Sequence, residues 1–245
     1  MKIKFIAISS FMALLCAVIM NGCTSNSEKH NILTDQEKNE GWTLLFDGST
    51  MNGWHVFNKG NIATAWSADS GQLICNPHAK NVKHGDLVTD KEYENYELKF
   101  EWKISKGGNS GVFVNVQESP EFGATFATGP EYQLLDDKGL EPDYIKELTH
   151  KAASIFGVIP NNSNSVPNQG QWNQSRILQK DGKVTFWLNG VQTLTVDFKS
   201  DDWKKAVAAS SMSKYPSFGV ADKGHIAVQD WTSGVAFRDI KIKVL

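Results

Sequence analysis

The sequence predicts an all-β domain built from two packed antiparallel sheets. Short alternating or β-branched runs recur along the chain, turn residues bound most of them, and convincing helical stripes are rare. Asp181-Gly182 and Asn189-Gly190 supply the positive φ that tight hairpins need. The predicted strands span residues 42–46, 73–75, 96–104, 111–117, 131–135, 176–179, 184–188, 193–198, 225–229 and 235–244. Two helical turns are predicted, near residues 143–149 and 202–208.

The N-terminus has the layout of an export signal. Lys2 and Lys4 precede an apolar run at 5–20, which is short for a membrane-spanning helix, and Asn21-Gly22-Cys23 follow. We predict a signal peptide over 1–22, lipidation at Cys23, a polar tether over 23–40 and one domain over 41–245. An ordinary secretory signal or an uncleaved anchor is the alternative, and each version leaves the domain outside the cytoplasm. We therefore expect a bacterial lipoprotein on the periplasmic or cell-surface side, touching the membrane only through its lipid anchor.

Composition and motif spacing exclude several classes of protein. The formal net charge of -2, with no basic stripe, excludes a nucleic-acid binder. Cys75 is alone in the predicted mature domain, which excludes a disulfide scaffold and a cysteine zinc site. The six histidines do not have zinc-site spacing, and neither a Gly-x-Ser-x-Gly elbow nor a dinucleotide fingerprint is present. Acyl transfer and nicotinamide chemistry are therefore not predicted.

Polar side chains gather on several predicted strands. Strand 96–104 alternates, so that Glu101 and Lys103 face away from the apolar side, where a solvated outer surface is the alternative reading. Glu131 and Gln133 share a face in the same way. Carboxylates and amides beside aromatic residues suit a sugar. The Glu-x-Asp-x-Glu spacing of retaining glucanases is absent, although two strands could still supply a carboxylate pair.

The order of short motifs along the chain resembles the 3-keto-disaccharide hydrolase domain family. The blocks that carry the resemblance are Gly41-Trp42-Thr43-Leu44-Leu45-Phe46-Asp47-Gly48, Met51-Asn52-Gly53-Trp54, Gly85-Asp86-Leu87-Val88-Thr89, Glu101-Trp102-Lys103, Gly108-Asn109-Ser110-Gly111-Val112-Phe113, Gly129-Pro130-Glu131-Tyr132-Gln133-Leu134-Leu135-Asp136, Gln171-Trp172-Asn173, Trp187-Leu188-Asn189-Gly190, Gly224-His225-Ile226-Ala227-Val228-Gln229-Asp230 and Phe237-Arg238-Asp239-Ile240-Lys241-Ile242. The chain departs from the family at Trp231 and Thr232, where His and Gly are usual, and at Asp239, where Asn is usual.

The resemblance implies a concanavalin A-like jelly-roll sandwich that cleaves 3-keto-glycosides. A ketone at C3 acidifies the hydrogen at C2, so one base can remove that proton and the enolate can expel the group at C1. Water addition would complete net hydrolysis. A separate oxidoreductase would have to supply the ketone, because the chain has no dinucleotide motif.

This chemistry suggests roles for individual residues. We expect Glu101 or Glu131 as base, and Lys103, His225 or a bound divalent cation as stabiliser of the enolate; no other cofactor is indicated. The predicted substrate-binding residues are Asn109, Gln133, Asp136, His150, Asn173, Gln229 and Trp231. Two other functions stay open, a carbohydrate-binding lipoprotein without catalysis and a conventional glucanase. In each case the partner is an oligosaccharide or glycoside.

Overall fold

A computed structural model describes residues 29–140, 143, 147–231 and 234–245. The predicted signal peptide and Cys23 lie outside the described residues. In chain order the strands are β1 (Trp42–Leu44), β2 (Trp54–Val56), β3 (Trp66–Asp69), β4 (Gln72–Cys75), β5 (Leu87–Thr89), β6 (Tyr96–Ile104), β7 (Asn109–Val116), β8 (Glu131–Leu135), β9 (Asn173–Lys180), β10 (Lys183–Leu188), β11 (Val191–Asp197), β12 (His225–Val228) and β13 (Val235–Val244).

The strands form two antiparallel sheets with a jelly-roll-like arrangement. Sheet A has the order β11-β10-β9-β6-β13-β4-β3, with β1 also paired to β13. Sheet B has the order β2-β5-β12-β7-β8. The predicted all-β class and the two-sheet sandwich are confirmed. The sequence-based strand list lacked β2, β3 and β5, which are three or four residues long and too short to show a clear alternation.

The helices are short. Among the described residues they are α1 (Asp35–Asn39), α2 (Asp201–Ala208) and 3-10 turns at Thr125–Ala127, Leu148–His150 and Ser211–Lys214. The predicted helical turn at 202–208 corresponds to α2, and the one at 143–149 lies partly outside the described residues. Within the described part of the chain, no helix combines the length and apolar character that crossing a membrane requires.

The segment before position 41 is folded from Lys29 onwards, where we had predicted tether. Thr34 and Glu37 form a capping box that starts α1. His30 Nδ1 lies 2.6 Å from an Asp239 carboxylate oxygen, and Lys241 pairs with Glu37. The folded part of the chain therefore begins before the predicted boundary at 41.

The core lies between the sheets, and its polar contacts fix how the sheets face each other. On β6 the apolar residues Leu98, Phe100, Trp102 and Ile104 are buried, as the alternation predicts. Trp102 Nε1 donates to Ser175 Oγ at 2.9 Å, and the Tyr132 hydroxyl lies 2.8 Å from the same oxygen. Because Tyr132 is on β8 and Ser175 on β9, this cluster ties the two sheets together. Because side chains alternate along a strand and Tyr132 points into the core, its chain neighbours Glu131 and Gln133 point to the outer face of sheet B.

Candidate active site

A row of polar residues crosses the outer face of sheet B at one end of its strands. The N–H of Gln229, just past β12, donates to the carbonyl of Gly111 on β7 at 2.9 Å. Gly111 is in turn opposite Gln133 on β8. On the other side of β12, extending its pairing with β5 by one residue places Gln229 opposite Asp86, which directly precedes β5. Four adjacent strands therefore present Asp86, Gln229, Gly111 and Gln133 side by side.

Glu131 lies over Gly111. A β-carbon built on Gly111 would come within 2.0 Å of Glu131 Oε1 and 2.6 Å of its Cδ, so the carboxyl occupies the space where any larger residue would put its side chain. The Glu131 side chain is buried. Burial raises its pKa well above the usual value of 4.5, and the nearby charge of Asp86 raises this pKa further. A carboxyl with a raised pKa accepts a proton more readily than an exposed one does.

Two glutamine side chains beside Glu131 have unused hydrogen-bonding atoms. Gln133 is 1% exposed, and neither its Oε1 nor its Nε2 has a hydrogen-bond partner among the described residues. Gln229 Oε1 is likewise buried without a partner there. Leaving such a group unpaired costs about 1 to 3 kcal/mol. A ligand with hydroxyl groups would recover that cost, as donor and acceptor to these amides.

These residues form the floor of a cavity of about 220 Å³. That volume is below the roughly 300 to 1,000 Å³ of pockets for drug-sized molecules and suits a single sugar ring. Asn109 also contributes to the floor, and the wall consists of Phe126, Phe156, Met212, Lys214, Tyr215 and Trp231. Aromatic rings on the wall provide faces on which the apolar side of a pyranose can stack.

The loops that form the wall are held by backbone hydrogen bonds. The segment after His150 pairs with the free edge of β8: the N–H of Ala153 donates to Gln133 O at 2.8 Å and the N–H of Phe156 donates to Glu131 O at 3.0 Å. This pairing covers the sheet edge and brings Phe156 to the cavity. Phe126 follows Thr125, which starts a 3-10 turn, and its ring packs edge-on against Tyr215 at 5.5 Å.

Asp86 is a second carboxyl group with a raised pKa on this face. Burial raises its pKa to about 6, although the hydrogen bonds donated by Thr125 Oγ1 and by the N–H of Asp230 act in the opposite direction and lower it. It lines a neighbouring cavity of about 210 Å³, which shares Phe126, Gln229 and Trp231 with the first. Asp86 belongs to the Gly85-Asp86-Leu87-Val88-Thr89 motif, but we predicted no role for it from the sequence. Asp86 directly precedes a three-residue strand, which is too short for its alternation to show on which face of the sheet the Asp86 side chain lies.

The structure brings five of the predicted residues to one cavity and corrects the placement of two others. Asn109, Glu131, Gln133, Gln229 and Trp231 all line it. The expectation that Glu101 and Lys103 would converge with Glu131 is not met, because β6 belongs to sheet A and its outward face is on the other side of the sandwich.

Glu101 and Lys103 have other contacts there. The Glu101 carboxylate accepts from Arg238 Nε at 2.7 Å and from Gln174 Nε2 at 3.1 Å. The Lys103 ammonium lies 5.0 Å from the centre of the Trp172 ring. Glu101 also lines a separate cavity of about 450 Å³ on sheet A with Arg176 and Trp187, so this strand face is neither part of the Glu131 site nor a fully solvated surface.

The remaining candidates lie outside the cavity. His225 is on the same face of sheet B but further along β12, with Nδ1 2.6 Å from the Thr89 carbonyl. His150 stacks on Phe156 behind the wall, with ring centres 4.7 Å apart. Asp136 accepts from the N–H of Gly107 at 2.9 Å and from Gln169 at 3.1 Å. Asn173 is buried and bonds to the backbone of Asn168. These last two residues hold loops in place.

One group of potential metal ligands occurs among the described residues. His30, Glu101 and Asp239 place ligand atoms within 4.8 Å of one another on the sheet A side. Glu101 is already bonded to Arg238 and Gln174, and Asp239 to His30 and the Asn31 backbone. A cation in that group would lie on the opposite side of the sandwich from Glu131. The divalent cation considered from the sequence therefore has no matching ligand cluster beside Glu131 among the described residues.

A jelly-roll-like sandwich with a buried carboxyl and free amides in a sugar-sized cavity defines a carbohydrate-active protein of the glycoside hydrolase type. Comparison with known proteins identifies the family. The sequence profile of the 3-keto-alpha-glucoside-1,2-lyase-like domain matches residues 41–243, and the chain belongs to that family.

Known relatives agree with this assignment. The chain is 31% identical over 229 residues to the 3-keto-disaccharide hydrolase of Bacteroides thetaiotaomicron, covering 84% of this chain and 79% of that protein. A crystal structure of a candidate glycosyl hydrolase from Parabacteroides distasonis is 37% identical, with a TM-score of 0.79, and the match covers 89% of this chain and all of that one. A second such structure from the same organism, 24% identical with a TM-score of 0.62 over 83% of this chain and 99% of that one, shares the fold.

Proposed function

We propose that this protein cleaves glycosides oxidised to a ketone at C3 of the sugar, with Glu131 as the base that removes the proton at C2. The supporting observation is the Glu131 carboxyl, buried over Gly111 beside the unpartnered amides of Gln133 and Gln229. The relative from Bacteroides thetaiotaomicron carries the name of the same activity.

The reaction begins with proton transfer. The ionised Glu131 carboxylate takes the C2 proton, and the C2–H electron pair becomes the enolate of the C3 ketone. The enolate then forms the C1=C2 bond and expels the C1 oxygen with its bonding electrons, so that the sugar product is an enone. Water addition across C1=C2 gives net hydrolysis. A single base with a pKa raised towards the working pH suits the first step.

The amides of the floor would bind and orient the sugar. Gln133 and Gln229 can donate to the developing enolate oxygen or accept from ring hydroxyls, which replaces the roles that we had assigned to Lys103 and His225. Aromatic contact from Trp231 and Tyr215 would hold the ring flat over the carboxyl. Because hydroxyl recognition is built from buried unpaired atoms, a ligand lacking those hydroxyls should bind poorly.

The test compares 4-nitrophenyl 3-keto-glucoside with 4-nitrophenyl glucoside. We expect release of nitrophenol from the keto compound alone, with a primary kinetic isotope effect when C2 carries deuterium. Release from the unoxidised glucoside would favour a conventional glucanase. Binding of both without release would leave a carbohydrate-binding protein, and either result would refute the proposal.

Glu131→Gln is the variant that assigns the base. It keeps the size and shape of the side chain and removes the proton acceptor, so turnover should fall by about 10²- to 10⁴-fold. Asp202→Asn, on the exposed side of α2, is a matched carboxyl-to-amide control and should leave turnover unchanged.

We also propose that the protein acts outside the cytoplasm as a lipoprotein and receives its substrate from a separate oxidoreductase.

A further inference from the structure

The two cavities on sheet B share three residues, and each is lined by carboxyl groups, Glu131 in the first and Asp86 and Asp230 in the second. Gln229 lies on the strand between Glu131 and Asp86. Neighbouring strands are about 4.7 to 4.9 Å apart, so the backbones of Asp86 and Gly111 are separated by two such spacings. The Glu131 carboxyl leans onto Gly111 and thus towards Asp86. The two carboxyl groups therefore flank a space that one glycosidic bond can fill.

We propose that Asp86 is the general acid that protonates the leaving oxygen, and that the leaving group occupies the cavity lined by Asp86. This assignment rests on the proposed 3-keto chemistry. A sugar ring over Glu131 would place its C2 hydrogen at that carboxyl and its C1 oxygen towards Gln229 and the second cavity. Two hydrogen bonds orient the Asp86 carboxyl between the two cavities. The N–H of Asp230 donates to Oδ1 at 2.9 Å, and the Thr125 hydroxyl donates to Oδ2.

The lining of the second cavity fits a polar leaving group. Asn58 offers its side-chain oxygen and Lys59 its ammonium, which also donates to the His84 carbonyl, and Phe126 and Trp231 line both cavities. A leaving group the size of a second sugar, or a polar aglycone, would find hydroxyl partners there. An anionic alkoxide would not be stabilised by a neighbouring carboxylate, so a leaving group of this kind needs the proton that Asp86 holds.

The proton balance closes over one cycle. In the elimination, Glu131 gains the C2 proton and Asp86 gives its proton to the C1 oxygen as the C1–O bond breaks. In the addition, Asp86 takes a proton from the water that attacks C1, and Glu131 returns its proton to C2. Both groups regain their starting states without a further acid or base. Burial raises the pKa of both carboxyl groups, and the reaction uses the form of the pair in which Asp86 holds the proton and Glu131 is ionised.

The network behind Asp86 is built from residues with no other evident task. Asp230 is almost completely buried, accepts from the N–H of Gly85 at 3.1 Å, and lies 3.0 Å from His84 Nδ1. The Cys75 thiol also donates to it at 3.2 Å. The negative charge of Asp230 is among the causes that raise the pKa of Asp86. Asp230 is thus a positioning residue that keeps Asp86 in place and favours its protonated form.

The test separates proton abstraction from leaving-group departure. Wild type, Asp86→Asn and Glu131→Gln are compared on methyl and 4-nitrophenyl 3-keto-glucosides, following cleavage and exchange of the C2 hydrogen with D₂O. For Asp86→Asn we expect about 100-fold or greater loss of cleavage on the methyl glycoside, a loss below about 10-fold on the nitrophenyl glycoside, and C2 exchange that continues. Glu131→Gln should lose exchange and cleavage of both substrates.

Two outcomes would overturn the assignment of Asp86. One is an equal loss on both leaving groups, and the other is unchanged cleavage of the methyl glycoside. If the wild type neither exchanges C2 hydrogen nor cleaves either keto-glucoside, the proposed function itself fails, which is a different result. Should Asp86→Asn not fold, the wild type alone decides: as pH rises and the pair loses its proton, cleavage of the methyl glycoside should decline before that of the nitrophenyl glycoside. Parallel profiles would contradict the role.

Discussion

The Glu131 carboxyl occupies the place that a side chain at Gly111 would take, with Oε1 2.0 Å from an idealised β-carbon. Gly111 lies in the row that crosses one end of the sheet B strands, and its backbone φ is not in the left-handed region, so the backbone itself accepts other residues. The glycine is therefore required by the neighbouring carboxyl and not by its own conformation. This contact explains the glycine at the last position of the Gly108-Asn109-Ser110-Gly111 motif.

Gly111→Ala should displace Glu131 with little damage to the fold. We expect turnover of a 3-keto-glucoside to fall by about 10²-fold, because a shift of about 1 Å in a catalytic group can cost that much. Gly234→Ala is the matched control, since its β-carbon would meet only an ordinary 3.5 Å contact. Melting curves for both variants establish that the fold persists. Full activity in Gly111→Ala would contradict the role of the Glu131 position.

Glu131→Gln should stabilise the protein at neutral and alkaline pH. The folded-state pKa of Glu131 is raised, so between 4.5 and that pKa the folded state holds more protons than the unfolded state, and stability declines as pH rises. A glutamine removes this penalty. We expect the melting temperature of the variant to exceed that of wild type by a few degrees at pH 8 and to match it near pH 4. An equal difference at both pH values would show that the carboxyl charge is not the cause.

Gln133→Leu should separate stability from binding. The side-chain oxygen and nitrogen of Gln133 have no partner among the described residues, so leucine removes the cost of burying them, and the free energy of unfolding should rise by about 1 kcal/mol or more. Substrate affinity should fall at least 10-fold, seen as a raised KM. Gln174→Leu, on the exposed face of sheet A, is the control and should change KM less than twofold. Lower stability together with unchanged KM in Gln133→Leu would refute this role.

The sequence predicted which face of each strand is buried, but not which sheet that strand belongs to. Alternation correctly put Leu98 and Trp102 in the core and Glu101 outside. The same rule placed Glu131 and Gln133 together. Outward positions on different sheets lie on opposite sides of the sandwich, and only long-range pairing decides this, which a local pattern does not contain. Asp86 was missed for a related reason, because three residues of β5 are too few to reveal a period.

Glu101→Gln and Lys103→Met should leave turnover within about twofold of wild type, because both residues are on sheet A. Glu101→Gln should lower stability by about 1 to 3 kcal/mol, since it weakens a part-buried, charge-assisted hydrogen bond from Arg238. Turnover of a 3-keto-glucoside is measured for both variants alongside wild type and Glu131→Gln. A loss from Glu101→Gln as large as that from Glu131→Gln would restore the sequence-based choice of base.

His55 should make stability depend on pH through the loop that carries Thr125 and Phe126. Its two ring nitrogens each lie 2.7 Å from a carboxylate oxygen, of Asp90 and of Glu118. Both nitrogens can donate only when the ring is protonated. Burial disfavours the charged ring, but the hydrogen bonds that the ring donates to Glu118 and Asp90 outweigh this effect and raise the pKa of His55 above 6.5.

The direction of the pKa shift of His55 decides how stability changes with pH. A raised folded-state pKa adds stability that is complete below about 6.5 and is lost as pH rises through the higher folded value. His55→Gln should therefore cost more stability at pH 6 than at pH 9, measured by denaturant unfolding. His78→Gln, an exposed histidine, is the control and should show no such difference. Because Glu118 also accepts from the Asn58 backbone and begins the loop leading to Thr125, His55→Gln should raise KM as well, and a pH-independent cost would leave His55 a packing residue only.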